Sequence, residues 1–373
     1  MGKSLINCYR VCLLFLLIIN QAPACTVFVF STDSTIVYGQ NLDWKSPIPG
    51  LVFINPRGIK KSVLHWKGHW PAQDKKKDIF WTSRYGSVTF SCYGRDFIDG
   101  GMNEVGLMVD ETNLTTQYPP EDDRPGISCQ QWMQYQLDNF TTVEEVLDHL
   151  DELRPDGEGW HYLIADKTGD CAIIEYLNGT AVVHRGTDIK YQILTNTTYK
   201  QALSHIPMDK AFGGEIDIAS GRDAYGNLIH VAALMRDFNK SNQGNAVEFS
   251  FHLLSEVSTD YTRRSLVYNG TQNRVLWKTK INPELRWIDL NMVDFSQDAP
   301  VQYIDVNSNH SGILNDYLMD YTVEVNKQIV EAVLGLSNLS ESTMIMLTSR
   351  GYTPEDVLDS IALHPTKVRR QVK

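Results

Sequence analysis

The sequence A-P-A-C-T-V-F-V-F-S at residues 22–31 joins a cleavage signal to a strand-like segment of bulky apolar residues. A basic start and an apolar run at residues 11–19 precede it, and the small-x-small pattern A-P-A stands directly before Cys25. These features are typical of a secretory signal peptide. We therefore predict a signal peptide at residues 1–24, so that the mature chain begins with Cys25 and is secreted, periplasmic or lumenal.

An N-terminal cysteine combines a nucleophile and a base in one residue, because its thiol can attack a carbonyl while its own α-amine accepts the proton. An α-amine has a reference pKa of about 7.7–8.0, which suits a base that works near neutral pH. Two other interpretations stay open: Cys25 carries the lipid of a lipoprotein, or it is an ordinary buried thiol. A lipidation signal usually has an aliphatic residue three places before the cysteine, where Ala22 stands.

Size and charge narrow the class of protein. The chain has 373 residues, and the part after the signal peptide suffices for one large domain or two small ones. Its net charge of −11 argues against nucleic-acid binding, which needs a basic surface. After the signal peptide no apolar run reaches the roughly 20 residues of a membrane span. No cysteine or histidine spacing predicts a zinc site, and we expect no cofactor.

The cysteines and glycosylation patterns bear on the compartment. Four cysteines follow the signal peptide, so at most one disulfide can form if Cys25 stays free, and the chain is not a disulfide scaffold. The N-x-S/T pattern favours a glycoprotein of a eukaryotic secretory route; it occurs at Asn113, Asn139, Asn178, Asn196, Asn239, Asn269, Asn309 and Asn338.

The order of predicted elements indicates sheets covered by helices. A hairpin is expected from residues 25–31 and 34–40, and Asn178-Gly179 marks a tight turn within a strand meander over residues 161–195. Helical periodicity marks residues 127–153, 228–238 and 247–257. Beyond residue 297 the pattern predicts a helical C-terminal extension, with helices at 312–334, 340–348 and 354–364.

Four short motifs follow one another along the chain: C-T at 25–26, G-Q-N-L-D-W at 39–44, M-N-E-V-G-L at 102–107 and L-T-N at 194–196. In this order they resemble the choloylglycine hydrolase family, the linear amide C–N hydrolases that include bile salt hydrolases and penicillin V acylases. The likeness covers residues 25–297, with residues 298–373 as an extension. It implies an α+β fold, an αββα sandwich of two antiparallel sheets between helix layers.

The resemblance also implies roles for four residues. Cys25 matches the nucleophile, and Asp43 matches the aspartate that holds the α-amine of the cysteine. Asn196 matches the asparagine whose side-chain amide stabilises the oxyanion, and the backbone N–H of Asn113 supplies the second donor. A glycan on Asn196 would block such a site, so this glycosylation pattern is expected to stay unmodified.

Two arginines of the family are missing from the sequence. The first of these arginines directly precedes the N-x-D motif in the family, and here Gln40 takes its place. The resulting sequence G-Q-N-L-D-W resembles the related penicillin acyltransferases, which use the same N-terminal cysteine. The position of the second falls on Asn227, and Arg222, five residues earlier, could replace it only through a rebuilt loop. Losing both cations would remove one means of lowering the pKa of the thiol.

The sequence therefore predicts a cysteine amidohydrolase that cleaves a linear C–N amide bond of an N-acyl small molecule through a thioester. The candidate substrates include bile-salt conjugates, penicillin V and N-acyl amines, and the resemblance also allows a homo-oligomer. Two alternatives remain: an acyltransferase that uses the same cysteine, and a non-catalytic secreted lipoprotein or binding module.

Overall fold

The computed structural model describes residues 24–32, 34–67, 70–72, 79–115, 118–157, 159–241, 245–335, 344, 347–349 and 351–366. The predicted signal peptide lies outside them, apart from Ala24. Within these ranges no helix is long and apolar enough to cross a membrane.

One sheet has seven strands, and strand β1 is the second of them, next to the edge strand. In spatial order the strands are Ile193–Thr195 (β16), Thr26–Ser31 (β1), Ile36–Asp43 (β2), Thr262–Asn269 (β17), Arg274–Thr279 (β18), Arg286–Asp289 (β19) and Gly312–Ile313 (β21). The hairpin of β1 and β2 is antiparallel, as the sequence predicts.

The other sheet has nine strands. In spatial order they are Thr180–Arg185 (β15), Cys171–Leu177 (β14), Trp160–Ala165 (β13), Met108–Asn113 (β10), Gly100–Asn103 (β9), Ser87–Ser91 (β8), Leu51–Asn55 (β3), Gln302–Asp305 (β20) and Met319–Asp320 (β22). Three two-stranded sheets complete the strands: Lys60–Ser62 (β4) with Phe80–Thr82 (β7), His65–Lys67 (β5) with Trp70–Ala72 (β6), and Gly126–Ser128 (β11) with Arg154–Asp156 (β12).

The helices cover the outer faces of the two large sheets. They are Cys129–Asn139 (α1), Val143–Asp148 (α2), Tyr199–His205 (α3), Ala224–Ser241 (α4), Ala246–Glu256 (α5), Val323–Leu334 (α6) and Pro354–Ala362 (α7). Helix α1 packs on the nine-stranded sheet through Trp132, Met133 and Leu137. Helices α4 and α5 pack on the seven-stranded sheet. The layers therefore run helix, sheet, sheet, helix, which confirms the predicted αββα sandwich.

Strand β1 shows why the two sheets face each other. Its side chains alternate: Val27 and Val29 enter the core between the sheets, whereas Phe28 and Phe30 pack under the helices. A strand that is apolar on both faces must be covered on both sides. Gly39 on β2 is required here, because a Cβ atom at this position would lie 2.3 Å from the Phe28 ring.

The structure differs from the sequence-based prediction in two places. Strand β16, expected as the last strand of the meander, leaves that sheet and pairs with β1 in the other. The helix predicted over 312–334 was wrong in its first half, because the helix begins at Val323 behind an N-cap at Thr322, after the short strands β21 and β22. Gly312 has a φ of 79°, a left-handed conformation that does not fit a helix.

The C-terminal segment is joined to the main domain. Strand β20 extends the nine-stranded sheet by pairing with β3, and residues of α6 and α7 pack on Leu51, Phe53 and Phe97. The segment predicted as a helical extension therefore supplies strands as well as helices. The helix predicted over 354–364 is present as α7, whereas most of the helix predicted over 340–348 lies outside the described residues.

Candidate active site

Cys25 lies directly before β1, between β16 and β2. Thr26 is opposite Thr195 on one side and Asn41 on the other, so the same register places Cys25 beside Asn196. The Cys25 side chain is buried, its thiol donates to the Asp43 carbonyl at 3.8 Å, and the Asp43 N–H donates to Sγ at 3.4 Å. The strand register therefore brings Asn196, which is distant in the sequence, beside Cys25 and Asp43 of the first hairpin.

Asp43 ends strand β2, and its carboxyl group is buried. Oδ1 accepts a hydrogen bond from the Thr262 hydroxyl at 2.6 Å, and Oδ2 accepts one from the Thr259 hydroxyl at 3.5 Å. Burial raises the pKa of Asp43 to about 6, against the opposing effect of the two hydroxyl donors. A carboxyl group held this way can accept a further donor, such as an amine at the start of β1.

The surroundings of Cys25 keep its thiol protonated. Burial raises the pKa of the thiol well above its usual value, and the negative charges of Glu111 and Asp43 raise it further. The hydrogen bond from the Asp43 backbone and the charge of Arg264 oppose this rise. A thiol in this environment reacts as a nucleophile only when a base takes its proton.

Arg264 is a buried cation that the sequence analysis missed. Its Nη2 lies 2.7 Å from the Asp99 carboxylate, and its guanidinium stacks 5.4 Å from the Phe90 ring centroid. On β17 it lies on the same face as Leu266 and Tyr268, which enter the core between the sheets. The feature that could have revealed Arg264 in the sequence was its position two and four residues before apolar residues of the same strand face. Its charge partly supplies the positive field that the two missing family arginines would provide.

Glu111 is a second residue that the sequence analysis missed. It lies on β10, two residues before Asn113, and its Oε2 is buried without a hydrogen-bond partner in the described part of the chain. Burial and the charge of Asp99 raise the pKa of Glu111 to about 8, although Arg264 opposes them. The feature that could have revealed Glu111 was an acidic pair, Asp110-Glu111, in a strand whose first five residues are all buried.

Replacing Glu111 by glutamine is expected to stabilise the protein at pH 8 more than at pH 5. A carboxyl group whose pKa is raised on folding contributes its stability below its unfolded pKa and loses it as pH rises through the folded value. A rise from 4.5 to about 8 corresponds to at most about 4 kcal/mol at pH 8. Urea unfolding at both pH values measures the difference.

The matched control for this variant is Glu144→Gln, since the Glu144 side chain is 72 % exposed. It should show no such pH dependence. Equal stabilities of the wild type and Glu111→Gln at both pH values would contradict a raised pKa at Glu111. The variant should also alkylate faster at Cys25 above pH 8, because a negative charge near the thiol is removed.

Asn196 and Asn113 stand at the ends of strands that meet at β1. Asn196 follows β16, and its Oδ1 is buried without a partner in the described residues. Asn113 ends β10 and is exposed. The N–H of Leu114 bonds to Gly159 beside β13, so the Asn113 N–H points the opposite way. On that side the pairing with β9 has already ended, at Asp110.

Of the three weaker candidates, Asn227 borders the nucleophile directly. It is buried on α4, and its Nδ2 lies 3.3 Å from both the Ala24 carbonyl oxygen and the Thr26 hydroxyl. Arg222 is exposed, and its guanidinium donates to the backbone carbonyl of Glu256. The structure therefore places Asn227, and not Arg222, against the peptide that precedes the thiol.

Gln40 lies in the middle of β2, opposite Val27 on β1 and Leu266 on β17. It is fully buried, and neither polar atom of its amide has a hydrogen-bond partner among the described residues. Unpaired buried polar atoms are costly, so each one calls for an explanation. Among the described residues, Glu111, Asn196 and Asn227 each carry one such atom and Gln40 carries two. The described ranges contain no group of three or more His, Cys, Asp or Glu side chains that could hold a metal ion.

An αββα sandwich with a cysteine directly before an inner strand, here the second strand of the seven-stranded sheet, is the architecture of the N-terminal nucleophile hydrolases. Residues 25–208 match the profile of the linear amide C–N hydrolases, choloylglycine hydrolase family. The chain belongs to this family and is an enzyme that hydrolyses linear amide bonds. Membership in a family of hydrolases leaves the alternative of a non-catalytic binding module without support.

Individual relatives agree with this assignment. The chain is 26 % identical over 339 residues to the penicillin V acylase of Pectobacterium atrosepticum, covering 78 % of this chain and 87 % of the relative. A penicillin V acylase structure from Agrobacterium tumefaciens matches with a TM-score of 0.69 and 28 % identity, over 80 % of this chain and 98 % of that chain. A conjugated bile acid hydrolase from Clostridium perfringens shares the fold, with a TM-score of 0.63, 19 % identity and coverage of 77 % and 98 %.

Proposed function

We propose that this protein is a secreted or lumenal cysteine amidohydrolase whose nucleophile is Cys25, exposed when residues 1–24 are removed. The observation that supports it most is the convergence at one strand end of the Cys25 thiol, the backbone of Asp43, whose carboxyl group is buried, and Asn196. Burial keeps the thiol protonated, and among the described residues Asn196 Oδ1 and Asn227 Oδ1 beside it have no hydrogen-bond partner. This combination suits a site that gains an amine by cleavage and then binds a polar substrate.

In the proposed reaction the α-amine of Cys25 takes the thiol proton, and the sulfur attacks the amide carbonyl. The oxyanion of the tetrahedral intermediate accepts hydrogen bonds from the Asn196 side chain and the Asn113 backbone N–H. The protonated α-amine then gives its proton to the leaving amine as the C–N bond breaks. Water hydrolyses the resulting thioester, with the same amine as base, and releases the acid.

Asn227 has a proposed role in this cycle. In the uncleaved chain its Nδ2 donates to the Ala24 carbonyl oxygen, and its Oδ1 has no partner within the described residues. Removing Ala24 places a new α-amine close to the same side chain. We propose that Asn227 Oδ1 and Asp43 then hold this amine and direct its lone pair toward the thiol.

The substrate class is an N-acyl amide of a small amine. The named relatives include penicillin V acylases and a conjugated bile acid hydrolase, so penicillin V, a glycine-conjugated bile acid and N-acyl amines form the test panel. The experiment first establishes the N-terminus and intact mass of the secreted protein, and then measures release of free amine from each compound. A mature chain that does not begin with Cys25, or a lipid on Cys25, would overturn the proposal.

A second candidate function is acyl transfer to an amine acceptor, supported by Gln40 in place of the family arginine. An acyltransferase would release the first amine faster when an acceptor amine is added, and would form the new amide. Release that is independent of the acceptor, with free acid as product, would support the hydrolase instead.

Replacing Asn196 by alanine is expected to lower kcat about 10²–10³-fold, with a smaller change in KM, because one donor to the oxyanion is lost. Asn196→Asp is a nearly isosteric companion that removes the donor and adds a negative charge, so it should be at least as slow. Steady-state kinetics on the best substrate measures both. A change confined to KM would argue that Asn196 binds the substrate rather than the transition state.

A further inference from the structure

A chain of buried polar side chains links three adjacent strands behind the candidate oxyanion donors. The Thr112 hydroxyl lies 2.5 Å from His161 Nε2, and His161 Nδ1 lies 3.2 Å from Glu175 Oε1. Thr112 is on β10, directly opposite His161 on β13, and Glu175 is on β14. All three are fully buried.

The charges in this chain fix its hydrogen-bond directions. Burial raises the pKa of Glu175, but hydrogen bonds from His161, His184 and the Tyr199 backbone outweigh it and lower that pKa to about 2. Burial lowers the pKa of His161. The histidine is therefore neutral and the glutamate ionised. His161 Nδ1–H donates to Glu175, which leaves Nε2 to accept the proton of the Thr112 hydroxyl.

The chain of Thr112, His161 and Glu175 also connects the two segments that carry the candidate oxyanion donors, Asn113 and Asn196. Thr112 directly precedes Asn113. The Thr195 backbone, directly before Asn196, lies close enough to the His161 ring to oppose the lowering of its pKa. On the far side of Asn196, Glu175 Oε1 accepts the backbone N–H of Tyr199 at 2.9 Å.

We propose that His161 and Glu175 are positioning residues that hold Asn113 and Asn196 at a fixed separation for oxyanion binding. The inference rests on the proposed function, since it assumes that these asparagines are the donors. Strands β10 and β16 belong to different sheets, so no shared backbone ladder sets the distance between them. The His161–Glu175 pair spans that gap.

A packing role alone does not explain this pair. Its neighbours on the same sheet face, Leu163 and Ile173, fill the core with apolar side chains. A buried carboxylate is costly unless its partners are well placed. Here the carboxylate of Glu175 has donors from His161, His184 and Tyr199. Directional bonds of this kind define positions more narrowly than apolar contacts do.

The test compares Thr112→Val with Thr112→Ser. Valine keeps the shape of threonine but removes the hydroxyl, whereas serine keeps the hydroxyl. We expect Thr112→Val to lower kcat/KM for penicillin V about 10-fold with little change in KM, and Thr112→Ser to restore it, since small misplacements of catalytic donors are expensive. Glu175→Gln should lower kcat/KM by a similar or larger factor, because it weakens the hold on both segments.

Two further readouts separate positioning from general damage. Alkylation of Cys25 by iodoacetamide forms no oxyanion, so its rate should stay within about twofold of the wild type. The Cys25 thiol adds to the aldehyde carbon of phenoxyacetaldehyde to form a hemithioacetal. Sulfur bonds to the carbon, the thiol proton moves to the former carbonyl oxygen or to the α-amine, and that oxygen lies in the oxyanion site. The affinity of phenoxyacetaldehyde should fall in parallel with kcat/KM.

The possible outcomes distinguish this inference from the proposed function. If the wild type hydrolyses an amide of the panel, and the folded variants Thr112→Val and Glu175→Gln are as active as the wild type, this inference is overturned while the proposed function stands. A parallel fall in alkylation would also overturn it, because the damage would then reach the thiol. A wild type that begins with Cys25 and hydrolyses no amide in the panel would overturn the proposed function and this inference together.

Discussion

Replacing Cys25 by alanine is expected to lower kcat for amide hydrolysis at least about 10⁴-fold, because the only proposed covalent nucleophile is lost. The side chain is buried, and alanine leaves only a small cavity, so the variant should stay folded. Release of free amine from the best substrate of the test panel measures the rate. Mass spectrometry of rapidly quenched wild-type enzyme should also detect an acyl group on Cys25, and the alanine variant should show none.

The control for this variant is Cys171→Ala, which removes another buried free thiol, on β14. It should keep its activity, apart from any effect of lower stability. If Cys25→Ala retained more than a small fraction of the wild-type rate, a thioester on Cys25 could not be an intermediate. Loss of activity in both variants would point to a general requirement for intact core packing.

Replacing Asp43 by asparagine is expected to lower kcat about 10³–10⁴-fold, as when a carboxylate that orients a catalytic base is neutralised. Asparagine can still accept from Thr262, but it offers no negative charge to the protonated amine that forms during the reaction. The wild type should lose activity as pH falls below the pKa of Asp43. That pKa is about 6 in the uncleaved chain, and a charged amine beside it would lower it further.

The same variant, although less active, should have a higher free energy of unfolding than the wild type. Since burial raises the pKa of Asp43 from 3.8 to about 6 in the uncleaved chain, its ionisation opposes folding as pH rises through that range. In a chain that keeps Ala24, Asp43→Asn should therefore raise the free energy of unfolding at pH 8 by up to about 3 kcal/mol. An inactive but stabilised variant would indicate a carboxylate retained for function.

A less stable Asp43→Asn variant would show that the hydrogen bonds from Thr262 and Thr259 outweigh the burial of the charge. An acid limb of kcat/KM that persists in the variant would assign that limb to another group. Measuring the pH profile and the unfolding curve on the same preparations separates these two results.

The sequence was sufficient for the layers and for the first half of the site. The alternation of Val27 and Val29 with Phe28 and Phe30 demands cover on both faces, and the hairpin between β1 and β2 follows from local pattern. The spacing of Cys25 and Asp43 across this hairpin is also local, because the hairpin register places them side by side. These features depend on contacts between residues close in the chain.

The other half of the candidate site depends on contacts that no local pattern specifies. Strand β16 follows the meander in sequence but pairs with β1 of the opposite sheet, and only that crossing puts Asn196 beside Cys25. Arg264 reaches the thiol from β17, more than two hundred residues later in the chain. No local pattern marks His161 either, since its links to Thr112 and Glu175 exist only once β10, β13 and β14 are aligned.

The sequence by itself was enough to predict the αββα class and the family through the resemblance of its motifs, and both are confirmed, whereas the secretory-type leader before Cys25 stays a prediction. The tertiary structure decided which charges surround that cysteine and where the donors lie. The physical reason is range: periodicity and turn chemistry act over a few residues, whereas the field at a buried thiol sums charges from strands of both sheets. Glu111 and Arg264 bring opposite charges to the thiol from strands of different sheets.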